Sequence, residues 1–342
     1  MSVLEVTDLQ VEYQTPGGTV QAVDGVDLSV DLGRIVGVVG ESGCGKTTLI
    51  TAILDLLDDN GRITNGSIEL NGRELVGMSA EELRREIRWT ELAYIPQNAM
   101  GSLDPLYTVG DQVIQVIRTH TDRDRSTAAE RVRGLMDQVG LDPERMHSYP
   151  HELSGGQRQR AVIVLALALE PAVVLADEPT TGLDVMVQDE ILALLQDLQS
   201  DIGCSIVMVT HDMSVVAQSA DDVVVMYGGR VMESGPMEAV FLESSHPYTI
   251  GLRNAFPSLA RGRDMDLVSI EGSPPDLSMP PDGCRFAARC PFSTEECRVT
   301  TPDSVSVGDE HRVKCHYPDE ADRFREEGQR ADLWDRAAEV ER

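Results

Sequence analysis

Lysine is almost absent from this chain. Of its 29 lysine and arginine side chains only Lys46 and Lys314 are lysine, and against them stand 58 Asp and Glu, for a formal net charge of −29 over 342 residues. A surface that negative excludes free-standing nucleic-acid binding, which needs a net attraction to phosphate. Aromatic residues are scarce, at 4%. Long apolar runs are missing: the longest, Ala161 to Leu169, falls far short of the about 20 residues a membrane-spanning helix needs. The opening MSVLEVTDLQ has neither a basic segment nor an apolar core, so it does not read as a signal peptide; the expectation is a soluble intracellular chain. No internal repeat and no long heptad pattern is present.

What is there suffices for packed cores. Apolar residues make up 41% of the chain, which argues against disorder. Its length allows about two domains of roughly 150 residues each. So large a negative charge repels itself at ordinary ionic strength, whereas molar salt shortens the Debye length to about 3 Å. The composition therefore reads as that of a halophile's protein, with an acidic protein of an ordinary cytosol as the alternative.

The hydrophobic pattern predicts an α/β core with a parallel sheet. The first segment alternates as short strands, with Pro16-Gly17-Gly18 as a turn. Arg34 to Gly40 reads as a buried strand, and Thr47 to Leu57 as a helix. Residues from about 79 to 140 read as mostly helical, broken at Pro96, Gly101 and Pro105. A buried helix follows from Gln157 to Leu169, then strands at Ala172–Ala176 and Ser205–Thr210 around a helix from Val187 to Gln199. Composition shifts near residue 245 to a proline-rich stretch and four cysteines. The acidic and arginine-rich tail after Pro318 reads as a surface helix or a frayed end.

Gly40-Glu41-Ser42-Gly43-Cys44-Gly45-Lys46-Thr47 has the spacing G-x-x-x-x-G-K-[ST] between a strand and a helix. Glycines let backbone N–H groups converge on phosphate oxygens, and the helix N-terminus adds partial positive charge. Lys46 is expected to reach the β- and γ-phosphates, and Thr47, followed by Thr48, to bind Mg²⁺ through its hydroxyl. Cys44 reads simply as a small residue in a tight loop. The run Val173 to Ala176 ends in Asp177 and Glu178, at the strand end where ligands gather in open parallel sheets. Asp177 is expected in the Mg²⁺ shell and Glu178 as the base that polarises water. Ser154-Gly155-Gly156-Gln157 precedes a helix and can offer N–H groups and a hydroxyl to a phosphate.

With Leu153 in front and Arg158-Gln159-Arg160 behind, this last element makes the chain resemble the ATP-binding subunits of ABC transporters. On that resemblance Tyr13 matches the aromatic that stacks on adenine, and Gln97, in Tyr94-Ile95-Pro96-Gln97, matches the glutamine that contacts Mg²⁺ and the attacking water. Ser154, Gly155, Gly156 and Gln157 match the signature that faces ATP held by a second subunit. Leu183-Asp184 matches the loop that couples the two sites, and His211 the histidine that touches the γ-phosphate. None of these departs from an active pattern. The resemblance implies an ABC ATPase domain over residues 1–245, with an N-terminal antiparallel β subdomain and a helical subdomain at about 98–165.

The stretch from His246-Pro247-Tyr248-Thr249 through Pro257, Gly272-Ser273-Pro274-Pro275 and Gly283-Cys284-Arg285-Phe286 is similar to the C-terminal region of oligopeptide and dipeptide importer ATPases, over residues 246–318; a charged tail at 319–342 remains. The implied function is driving peptide uptake from the cytoplasmic face of the membrane. The implied partners are two permease subunits, a second ATPase subunit and, indirectly, an extracellular peptide-binding protein. Nickel and sugar importers are close relatives, and a soluble ABC ATPase is the alternative of another class. Cys284, Cys290, Cys297 and Cys315 lack the paired knuckles of structural zinc, whereas iron–sulfur clusters tolerate varied spacing. Some importer ATPases that this chain resembles carry a [4Fe–4S] cluster at such cysteines; zinc, free thiols and disulfides stay open, and His311 and His316 flank Cys315.

Overall fold

The structure is a computed structural model that describes residues 1–97, 99–255 and 269–334. Pro257 and residues 335–342 of the tail lie outside the described residues. The chain forms two compact units: one of Met1–Glu5, Ser29–Ile35 and Glu69–Val209, the other of Val6–Leu28, Val36–Ile68 and Thr210–Arg342.

In the first unit the strand Val173–Asp177 pairs in parallel with Leu92–Ile95 on one side and Ser205–Thr210 on the other, in registers Leu92↔Val173 and Val173↔Ser205. Val173–Asp177 and Ser205–Thr210 are buried along their whole length, as two-face burial of a parallel sheet requires. Leu92–Ile95 falls inside the stretch expected to be helical. A four-residue apolar run carries no period of its own, and only its pairing with Val173–Asp177 makes it a strand. The helices Val109–His120, Arg125–Gln138, Gly155–Ala166 and Val185–Ile202 each start on a side chain that accepts a backbone N–H of the first turn: Thr108, Asp124, Ser154 and Asp184.

In the second unit Ile35–Val39 runs parallel to Asp222–Tyr227, with Val39 opposite Val225. Arg230–Pro236 then turns back antiparallel, and Arg312–Val313 and Val305–Ser306 extend the sheet by short antiparallel pairings, Glu233 lying opposite Val313. The cysteine-rich region is thus stitched to the sheet through its backbone. The strand Ser2–Thr15 lies between Gly18–Asp31 and Gly61–Leu70, and here Asp8 N–H donates to Asp27 at 2.9 Å and Gln14 N–H to the Asn60 carbonyl at 2.8 Å. The helix Lys46–Ile53 ends four residues before the expected Leu57, where Asp55 turns to φ 52°.

The tail differs from its expected character. Its described acids and arginines are exposed or half-buried, but Phe324 and Trp334 are each 1% exposed, and Trp334 joins the core of Val39, Val225, Tyr227, Tyr248 and Phe286. Trp334 Nε1 donates to the Gly328 carbonyl at 3.0 Å. In so aromatic-poor a chain these rings are a large share of the apolar area that can seal this end of the core.

Candidate functional site

The second unit carries the phosphate loop, Tyr13 and His211. The loop leaves the buried strand Ile35–Val39 and enters Lys46–Ile53 with Gly45 as cap, at φ 105° and with no side-chain cap. The first-turn N–H groups of this helix therefore have no side chain of their own on them, unlike those of the four capped helices. A Cβ on Gly45 would overlap the Ala22 carbonyl, and one on Gly40 the Met226 carbonyl, so the loop closes only with glycine at both. Lys46 is 6% exposed, and its ammonium donates to the carbonyls of Gly40 at 2.7 Å and Glu41 at 2.9 Å. Burial pushes the Cys44 thiol up, against the pull of Lys46 beside it. Ser42, Gly43 and Thr47 are exposed on the rim, with Thr48 half-buried. The Tyr13 ring lies over Gly61, where a Cβ would come within 2.7 Å of it. His211 is exposed, between the strand Ser205–Thr210 and the helix Met213–Ser219.

The first unit carries the carboxylates and the signature. Asp177 is 2% exposed at the end of its strand. Tyr94 hydrogen-bonds to it, and burial together with that carboxylate pushes the Tyr94 phenol up to about 12. Glu178 sits at φ 46°, a left-handed conformation that a side chain rarely adopts, and its N–H is tied to the Val209 carbonyl at 2.8 Å. Gln97 Nε2 and Thr181 Oγ1 both donate to Glu178 Oε2, at 2.7 and 2.8 Å. Together they fix the direction of this half-buried carboxylate. Ser154 and Gln157 form a reciprocal cap: Gln157 N–H donates to Ser154 Oγ at 3.3 Å, and Ser154 N–H to the Gln157 side chain at 3.0 Å. Asp184 caps the next helix through Val187 N–H at 3.1 Å, and a Cβ on Gly156 would lie 3.0 Å from Val187, so signature and coupling loop are packed together. Tyr94 and Thr181 were not among the residues singled out from sequence. Tyr94 precedes Gln97 by three positions and Thr181 follows Glu178 by three, and that adjacency is the only sequence signal for either.

No disulfide joins any of the six cysteines. Cys284, Cys290, Cys297 and Cys315 line one small cavity with His246, His316, Phe286 and Phe292. Burial pushes the Cys284 thiol up, Cys290 well above its usual value and Cys315 up to about 12. Backbone N–H groups of Phe286, Phe292 and Tyr317 bond to these same three sulfurs, the last at 3.5 Å. The space between the side chains is only about 20 Å³, room for about one water. Among the described residues no group of three or more His, Cys, Asp or Glu is placed to hold a metal ion. The thiols are gathered, but as they stand they do not fit the expected cluster. His311 does not face them: its Nε2 lies 2.8 Å from the fully buried Glu233.

A phosphate loop behind a buried strand, a strand ending in a fixed acid pair and a glycine-rich helix cap define an ATP-binding cassette. Comparison with known proteins agrees. The ABC transporter family model matches residues 23–181, and the model for the oligopeptide/dipeptide transporter C-terminal region matches residues 232–297. The dipeptide transport ATP-binding protein DppD of Escherichia coli is 41% identical over 320 residues, covering 93% of this chain and 97% of that protein. The oligopeptide transport ATP-binding protein OppD of Haemophilus influenzae is 44% identical, covering 86% and 91%. The dimeric ATP-binding cassette MJ0796, in a post-hydrolysis state with ADP and Pi, superposes with a TM-score of 0.61 at 26% identity, covering 68% of this chain and 98% of that one. The chain belongs to the family of ABC transporter ATP-binding proteins, and it is an ATPase.

Proposed function

We propose that this chain hydrolyses ATP to drive the import of dipeptides or oligopeptides through an ABC transporter. The observation that carries this reading is the C-terminal extension. It matches the oligopeptide/dipeptide transporter C-terminal region, and its strand Arg312–Val313 is paired onto Arg230–Pro236. In this reading residues 1–245 are the ATPase domain, with a helical subdomain at about 98–165, residues 246–318 the importer-type extension and 319–342 a charged tail. The partners are two permease subunits and a second ATPase subunit, whose signature completes each ATP site, together with an extracellular peptide-binding protein.

Within the site, Lys46 and the loop amides of Gly40 to Thr48 bind the phosphates, and Tyr13 stacks on adenine. Thr47, Gln97 and Asp177 are the residues that would hold Mg²⁺, which when bound neutralises phosphate charge. The exposed Thr47 hydroxyl and the buried Asp177 carboxylate, oriented by Tyr94, suit that oxygen-loving ion. Glu178, aimed by Gln97 and Thr181, accepts a proton from the attacking water, and His211 donates to the γ-phosphate. Ser154, Gly155, Gly156 and Gln157 face the partner's ATP, and Asp184 links the two sites.

No described helix is long and apolar enough to cross a membrane, in keeping with a peripheral position on the cytoplasmic face through the permeases. The iron–sulfur cluster belongs to this reading as well. It rests on the convergence of four cysteines around one cavity and on the N–H groups bonded to three of their sulfurs. Iron and acid-labile sulfide in anaerobically purified protein test that point. The acidic surface is read as adaptation to molar salt. Detergent extraction followed by co-purification tests the transporter assignment. Multi-span permease subunits are expected to travel with the chain, and their absence would favour a soluble ABC ATPase. Nickel or sugar in place of peptide as the cargo of the purified complex would favour the other importer branches.

A further inference from the structure

Glu41, the second residue of the phosphate loop, is held by side chains from beyond residue 245. Its N–H donates to the Tyr248 hydroxyl at 2.9 Å, and its carboxylate accepts from Arg289 Nη1 at 2.7 Å. Its own carbonyl accepts from Lys46 at 2.9 Å. One loop residue therefore connects the extension to the loop lysine through its N–H and carboxylate on one side and its carbonyl on the other.

The holding groups are themselves fixed. Arg289 is 4% exposed, and its remaining donors reach the Tyr227 hydroxyl at 3.1 Å and the carbonyls of Ile270 and Glu271 at 2.8 Å each. Tyr248 is fully buried, its ring 4.7 Å from that of Tyr227 and 5.2 Å from that of Phe286. A buried guanidinium with its fork pinned at three other points cannot follow a wandering carboxylate, so Glu41 must come to it. Neither Tyr248 nor Arg289 belongs to the phosphate-loop pattern, and no step of the hydrolysis described above uses them.

We infer that Arg289 and Tyr248 are positioning residues of the nucleotide site: they fix Glu41, and with it the carbonyl on which Lys46 rests, so that the loop is ordered before ATP arrives. Ordering a loop in advance moves its entropic cost from binding to folding, and the gain is read in ATP affinity. The inference rests on ATP binding by this chain and is independent of the transported cargo.

The test is steady-state ATP hydrolysis, as a function of ATP concentration, by the full-length chain in complex with its membrane partners. Tyr248→Phe removes one oxygen and keeps the ring; it is expected to raise the KM for ATP about fivefold, the worth of one hydrogen bond. Arg289→Met is expected to raise KM about tenfold or more, with kcat changed less than about twofold and Arg289→Lys recovering part of the loss. Glu41→Gln is expected to raise KM in the wild-type background and to add little to Arg289→Met, because the two act through one bond. If Arg289→Met does not fold, Tyr248→Phe and Glu41→Gln decide the matter. An unchanged KM in both, or a lowered melting temperature with KM unmoved, overturns the inference and leaves the contact a fold-stabilising one only.

Discussion

Gln97 donates a 2.7 Å hydrogen bond to the carboxylate of Glu178, across 81 positions of sequence, and Thr181 donates to the same oxygen from three residues away. Two donors on one carboxylate oxygen hold its direction. Glu178→Gln should keep ATP bound while lowering hydrolysis by about 100-fold or more. Retention of labelled ATP alongside phosphate release measures this in the assembled complex, and near-normal turnover would remove Glu178 from the role of base. Gln97→Ala should cost about tenfold, and less than Gln97→Ala with Thr181→Ala, because either donor alone still orients the carboxylate.

Gly45→Ala should abolish ATP binding without unfolding the protein. The residue sits at φ 105° with the Ala22 carbonyl where a Cβ would go, so the new methyl displaces the loop from the start of its helix. Titration with a fluorescent ATP analogue, beside an unchanged circular-dichroism spectrum, checks it. Retained affinity would mean that the loop tolerates the shift.

Asp24 anchors the extension electrostatically. Its carboxylate accepts from Arg230 Nε at 2.8 Å and from the nearly buried Arg285 Nη2 at 2.5 Å. Burial pushes its carboxyl up, but Arg230 and Arg285 together outweigh this and hold it below the usual carboxylate value. A depressed carboxylate stabilises the fold above its unfolded value, near 3.8, and loses that contribution as pH falls through the lower folded value. Asp24→Asn should therefore lower stability at neutral pH by about 2 kcal/mol, the scale of hydrogen bonds to a charged group. The gap to wild type should narrow as pH falls below 3.8. Urea unfolding at the two pH values measures it, and a gap independent of pH would mean that charge plays no part.

The loop, the acid pair and the signature were legible in sequence because each is a local pattern at a strand end or helix start. Their long-range supports were not. Arg289 lies 248 positions from Glu41 and Tyr248 lies 207, and nothing in the spacing of a proline-rich extension announces that it folds back onto the phosphate loop. Trp334 and Phe324 were hidden in the same way: their charged neighbours suggested a surface tail, and only tertiary packing buries the two rings. The strand Leu92–Ile95 was missed because four apolar residues fit a helix as well as a strand until Val173–Asp177 is set beside them. The four cysteines do gather around one cavity, but among the described residues no group of three or more metal-ligating side chains is placed to hold a metal ion.

Salt should decide the behaviour of the purified protein. With a net charge of −29, stability and activity should rise as KCl is raised toward about 1 M, where the Debye length falls to about 3 Å. Melting temperature against KCl concentration measures this, and full stability in dilute buffer would contradict a halophilic origin.

The central claim is that ATP hydrolysis at this site drives peptide into the cell. Its most direct measurement is uptake of a labelled dipeptide by proteoliposomes that hold the chain with its permeases, partner ATPase and binding protein, with ATP supplied on the face that this chain occupies. Uptake that requires ATP and disappears with Glu178→Gln is the predicted result. Hydrolysis without uptake of any di- or oligopeptide would contradict the account.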